Sequence, residues 1–211
     1  MMSIPLKRIF VLAAASLIPL TPYAAEEQEP DLQVGKLLHR QCALCHGQYS
    51  QGILGGKYPR LAGLPEYYLN NATVDYRDGI REHAAMTVVG GLRSLSDHQL
   101  ESLSAYISDI DLNEVQPLDV PTPEGADVEE GEDLYKADCK TCHGRKGEGK
   151  KKKDSPPLRG QYPEYLLRQI EMYKNKEREH ADDPEDETFV DYSDQEILDI
   201  IGFATTFDDA E

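Results

Sequence analysis

The chain has 211 residues and a formal charge of −17, with 39 acidic side chains against 22 lysines and arginines. So acidic a surface repels nucleic acid and anionic membranes, and it either steers in a partner that carries a basic docking surface, at rates that fall as salt rises, or serves only to keep the chain soluble. The length suits two compact modules, each near the lower size at which an apolar core suffices.

At the N-terminus, Lys7 and Arg8 precede an apolar run over residues 9–20, and Ala24-Ala25 stand before Glu26-Glu27. This pattern predicts a secretory signal peptide over residues 1–25, cut after Ala24 or Ala25. An uncleaved anchor fits less well, because the apolar run is shorter than the roughly 20 residues a spanning helix needs. Cleavage removes two cations and no acid, which takes the charge from −17 to −19.

Leu32, Leu37, Leu38 and Ala43 keep an approximate helical period into the pentapeptide Cys42-Ala-Leu-Cys-His46. Further on, Ser96 and Gln99 form the signature of a capping box, and Leu100, Leu103 and Ile107 give the helix behind it a buried stripe. Residues 111–128 carry Pro117, Pro121 and Pro123 among acids, a composition suited to a semi-extended linker between a unit at 26–110 and another at 129–211. Val128, Leu134 and Tyr135 then lead into Cys139-Lys-Thr-Cys-His143, and Ser193 with Glu196 caps a last helix whose stripe is Ile197, Ile200, Ile201 and Ala204. No alternating strand pattern competes, so the fold class is all-α.

The second unit repeats the first. An offset of 97 pairs Cys42 with Cys139, His46 with His143, Pro59 with Pro156, Tyr76 with Tyr173, His83 with His180 and Ser96 with Ser193. All four cysteines lie in the two pentapeptides. In an exported chain an even cysteine count usually means disulfides, but here each pair runs straight into a histidine. Two thiols on one helical turn can each add to a haem vinyl group while the adjacent imidazole reaches the iron, so the motif fits covalent attachment of two haem c groups. A zinc ribbon sets its pairs about 15–20 residues apart, and a thioredoxin-like site needs alternating strands and helices.

With these residues the chain resembles the two-domain class I cytochromes c of the cytochrome c4 type. The likeness is carried by QCALCHG, YPRLAG, PEYYLNNATVDYRDG, REHAAM and SLSDHQLESLSAYIS in the first half, and by DCKTCHG, PPLRG, PEYLLRQIEMYKN and YSDQEILDIIGFA in the second. It implies two tandem cytochrome c domains, each wrapped around its haem. The protein would be a periplasmic one-electron carrier rather than an enzyme, serving respiratory or other redox partners such as a terminal oxidase or a membrane-bound cytochrome complex. It also implies His46 and Met86 as axial ligands of the first haem, a pair that raises the reduction potential, and His143 as a ligand of the second. The carbonyls of Pro59, and of Pro156 or Pro157, would accept from the proximal imidazoles.

The second copy departs from this pattern, because Asp183 stands where the first has Met86. Met172 lies too far along a helix to serve, and Asp183 is a hard donor poorly matched to ferrous haem. His180 is the nearby imidazole. The second haem is therefore expected to lack His/Met ligation and to sit at a lower potential, with His180 as distal ligand preferred over an open or water-bound iron. An open iron is the basis of an alternative: a haem enzyme or small-ligand binder at that site. A redox subunit of a larger complex is another. His39 and His98, without counterparts at the offset of 97, read as surface residues, and the four lysines of residues 150–153 as solvated loop charge or, more sharply, a docking patch.

Overall fold

The structure, a computed structural model, describes residues 28–180, 183 and 185–207. The predicted signal peptide lies outside them. Among the described residues there is no strand, only two isolated bridges, and the elements fall into two similar helical sets.

In the first set, α1 (Leu32–His46) and α3 (Asp97–Ser108) cross, and α2 (Glu66–Asp78) packs beside α3. Asp31 caps α1 by accepting from the backbone of Gln33 and Val34. The capping box of α3 forms as the sequence predicts, with Gln99 Oε1 3.0 Å from the Ser96 backbone nitrogen and Ser96 Oγ 3.3 Å from that of Gln99. Leu64, Leu69, Tyr76, Leu92, Leu100, Leu103 and Ile107 close the core. The crossing is tight at Gly35, where a Cβ would lie 2.0 Å from the Ser102 carbonyl oxygen. Leu32 and Leu37, which keep the helical period, are exposed, because the face that meets α3 is the one bearing Gly35 and His39.

Residues 111–128 are not extended throughout. Asp111 caps a short helix, α4 (Leu112–Val115), and Leu112 is buried before the chain continues to Asp127.

In the second set, α5 (Val128–Leu134) crosses α8 (Asp194–Ala204) at Gly131, where a Cβ would lie 1.9 Å from the Asp199 carbonyl oxygen. A π-helical turn, Tyr135–Cys139, joins α5 to α6 (Lys140–His143), and α7 (Pro163–Lys174) packs on α8 around Leu166, Ile170, Ile197 and Ile201. The π turn shows that the offset of 97 fails upstream of the cysteines. Asp31 N donates to Ser102 Oγ as Asp127 N donates to Asp199 Oδ1, and the crossing glycines are Gly35 and Gly131, an offset of 96. One extra residue is therefore absorbed in the turn.

This register corrects the reading of His39 as a surface residue. At an offset of 96 it matches Tyr135, not Lys136. It is buried, bonds Ser50 Oγ at 2.8 Å and lies beside Tyr106, as Tyr135 lies beside Phe203. His98 is not deeply buried and has its Nε2 3.1 Å from the Glu29 carbonyl.

The two sets are locked together by polar contacts. The Gln161 side chain accepts from Arg60 N at 3.0 Å and donates to Arg60 O at 2.9 Å. Tyr67 OH donates to Ser155 O, Tyr162 OH to Gln51 O, and Asn71 Nδ2 to the Asp154 carboxylate. Arg168 reaches the Gly56 carbonyl. These bonds hold the two attachment helices in a fixed relationship.

Candidate haem sites

In the first set the helix α1 carries Cys42, Cys45 and His46 in its last turn. All four cysteines are free thiols and partly buried. Burial pushes Cys42 up to about 11 and Cys139 up to about 12, so neither is a thiolate at neutral pH. The two pairs also belong to different modules, whereas a four-thiolate zinc site needs them together, and no metal-holding cluster occurs among the described residues. His46 is buried, with Nδ1 2.9 Å from the Pro59 carbonyl oxygen. A carbonyl only accepts, so the proton sits on Nδ1 and Nε2 is left as a lone-pair donor for a metal. Burial first, and the neighbouring His83 to a lesser degree, hold the ring below its ordinary pKa against the Pro59 bond, and the neutral ring is the ligating form. Met86, in a π-helical turn at Ala85–Val89, packs against the same core cluster as Cys42.

The second set repeats the proximal half: His143 Nδ1 lies 2.9 Å from the Pro156 carbonyl oxygen, which selects Pro156 over Pro157 as the acceptor. Its pKa too is lowered, chiefly by burial and also by His180. The distal half differs. His83 is exposed, but its counterpart His180 turns inward, with its ring centroid 6.2 Å from that of His143 and the planes 22° apart. Two imidazole–metal bonds of about 2 Å each, extended by half a ring at either end, span about this length. His180 Nδ1 is 3.3 Å from Asp186 Oδ2, and Tyr173 and Phe189 pack against the ring. Asp186 is itself fixed by the Thr188 amide and hydroxyl. His143 thus has Nδ1 hydrogen-bonded to a carbonyl, and His180 has a carboxylate oxygen near its Nδ1, the surroundings in which metal-bound histidines are found. Asp183 bridges to the His180 backbone and turns its carboxylate to the Glu185 amide at 2.9 Å, and Met172 lies beside the Gln169 amide, its sulfur 3.7 Å from Nε2.

Between the modules Arg81 and Arg178 point into a cluster of tyrosines. Their guanidinium groups lie 4.6 Å and 5.0 Å over the rings of Tyr76 and Tyr173, and both donate to Gln169 Oε1. Two enclosed cations that share one neutral acceptor call for anionic partners, and the carboxylates of haem fit that need. The sequence reading missed this cluster. REH occurs in both copies, but nothing in the sequence places two arginines of different modules on one amide.

The cytochrome c family model matches residues 128–205. A thiosulfate dehydrogenase electron acceptor of Thiomonas intermedia is 32% identical over 83% of this chain and 79% of its own length. Cytochrome c4 of Azotobacter vinelandii is 30% identical over 67% of this chain and 71% of its own. Among solved structures, reduced cytochrome c4 from Pseudomonas stutzeri superposes with a TM-score of 0.70 at 25% identity, covering 85% of this chain and all of that one. The fold and the paired attachment motifs define a dihaem c-type cytochrome. The chain belongs to the cytochrome c family, as a class I dihaem member of the cytochrome c4 type, with haem c bound through Cys42 and Cys45 and through Cys139 and Cys142.

Proposed function

We propose that this electron carrier passes one electron at a time between redox proteins through two haems of unequal potential. His46 and Met86 would hold the first iron, and His143 and His180 the second. The haem groups would supply the reversible one-electron change, and the chain would hold them through these side chains and the paired cysteines. The observation that supports this most is the pair His143 and His180, with ring centroids 6.2 Å apart and an oxygen near each Nδ1. A thioether favours ferrous iron and two imidazoles favour ferric, so the second haem lies below the first in potential. Such ligation leaves no iron position open, and turnover of peroxide or thiosulfate by the protein alone should be negligible. The proposed units run over 26–110 and 129–211, joined by 111–128, and the N-terminal pattern directs export to the periplasm. The relatives named as electron acceptors of thiosulfate dehydrogenase make such an enzyme the first donor to try, with a terminal oxidase as acceptor.

Low-temperature electron paramagnetic resonance of the wild type and of His180→Ala tests this. A bis-imidazole low-spin signal that disappears in the variant is the expected result. A high-spin signal already present in the wild type would show an open second iron, and two thioether-to-iron bands in the near infrared would reject the assignment.

A further inference from the structure

We propose that His39, acting through Ser50, holds the Pro59 carbonyl on the proximal ligand His46, and that this side-chain pair sets the potential of the first haem by a means the second module lacks. The proposal deepens the electron-carrier reading and rests on it. His46 Nδ1 lies 2.9 Å from Pro59 O, and the segment bearing that carbonyl is tied back to Ser50, whose own carbonyl accepts from Leu61 N at 2.8 Å and Ala62 N at 3.1 Å. Ser50 N in turn donates to Gly47 O at 2.9 Å, closing the turn that follows His46. Ser50 thus stands between the axial imidazole and the carbonyl that accepts from it. Its hydroxyl is bonded to His39 Nε2 at 2.8 Å, and both residues are buried.

The second module keeps the backbone hook and changes the side chains. Gly147 O accepts from Leu158 N at 2.8 Å and Arg159 N at 3.3 Å, as Ser50 O does from Leu61 and Ala62. Gly147 has no hydroxyl, however, and Tyr135, at the place of His39, donates to Gly144 O at 2.7 Å and faces the Gly147 amide. The Tyr135 hydroxyl therefore enters the turn that Ser50 closes with its own amide. Backbone conformation makes this difference informative: Ser50 has φ 53° and Gly147 φ 64°, a left-handed region that is free of steric penalty for glycine and not for serine. What serine adds over glycine at this point is the hydroxyl, and its partner is His39. One buried bond thus accounts for both the histidine, where the repeat has tyrosine, and the serine, where it has glycine. In an enclosed, low-dielectric site such a bond holds its partners more firmly than one at the surface. A firmly held Pro59 carbonyl draws on the Nδ1 proton of His46, makes the imidazole a stronger donor and favours ferric iron.

Mediated voltammetric titration of the dihaem protein at about pH 8 tests this, because His39 is then uncharged and its replacement removes a bond without removing a charge. Ser50→Gly, the residue of the second module, relieves the backbone and keeps the fold; it should raise the potential of the first haem and leave that of the second unchanged. His39→Leu should do the same, and His39→Leu/Ser50→Gly should match either single change instead of their sum, since all three remove one bond. Exchange of the His46 Nδ1 proton in the reduced protein, followed by nuclear magnetic resonance, should quicken about tenfold in Ser50→Gly, as the loss of one hydrogen bond allows. A His39 that served packing alone would move the unfolding midpoint and neither of these readings. Unchanged exchange, an unchanged or lowered first potential, a shift in only one of the single variants, equal shifts at both haems or additive shifts in the double variant would overturn the proposal. The carrier reading fails separately, in the wild type: without two one-electron waves there, it is rejected before any variant is compared.

Discussion

Arg81 and Arg178, one from each module, donate to the same oxygen, Oε1 of Gln169, at 2.9 Å and 2.6 Å. The contact makes the electrostatics of the two sites common property. Arg178→Gln removes a cation that disfavours the ferric state, so it should lower the potentials of both haems, each by tens of millivolts for a unit charge acting through the interior. Voltammetric titration of the variant reads this directly. A shift confined to one haem would show that the cluster serves that haem alone.

Asp186 Oδ2 lies 3.3 Å from His180 Nδ1, and on the proposed ligation its negative charge would strengthen the imidazole as a donor. Asp186→Asn should keep the ligand but weaken its donation, raising the potential of the second haem while the first stays fixed. The low-spin resonance signal should persist. If the signal turns high-spin, the carboxylate is needed to hold the ring as well as to tune it.

The helix crossings give a stability prediction. A methyl group at Gly35 or Gly131 would overlap the carbonyl of Ser102 or of Asp199. Separating the helices to admit it costs about 3 kcal/mol. Denaturant unfolding followed at the haem absorption should show Gly35→Ala and Gly131→Ala shifted by that amount.

His39 predicts a pH dependence. Burial, and to a lesser degree His46, lower its folded pKa below the ordinary 6.5. The unfolded chain then binds more protons between the two values. Its contribution to stability is complete above pH 6.5 and is lost as pH falls through 6.5 toward the folded pKa. The wild type should therefore lose more stability between pH 7.5 and 5 than His39→Gln does, measured by the denaturation midpoint at each pH.

The sequence carried the helices, both capping boxes and both attachment motifs, because each rests on residues close together in the chain. The sequence also marked His180, the imidazole three residues before Asp183, and the structure places its ring 6.2 Å from that of His143. What it did not carry depends on contacts between distant segments. The burial of His39 follows from its bond to Ser50 and the ring of Tyr106, and the exposure of Leu37 from the choice of Gly35 as the crossing point. The Gln161 lock on Arg60 and the Gln169 cluster join residues whose partners lie about a hundred positions away, and no periodicity reports them.

The π turn at Tyr135–Cys139 bears on how a duplicated chain can drift. Had the extra residue stayed within a regular α-helix, everything before it would have turned by about 100° and slid about 1.5 Å relative to Cys139, carrying Gly131 off its crossing with α8. Widening one turn confines the mismatch to five residues. The phase between the crossing glycine and the thiols is thereby preserved even though their spacing in the sequence is not. Length changes of one residue between those two points are tolerable in this architecture, while the same change between Cys139 and His143 would separate the thiols from the imidazole they must share a haem with.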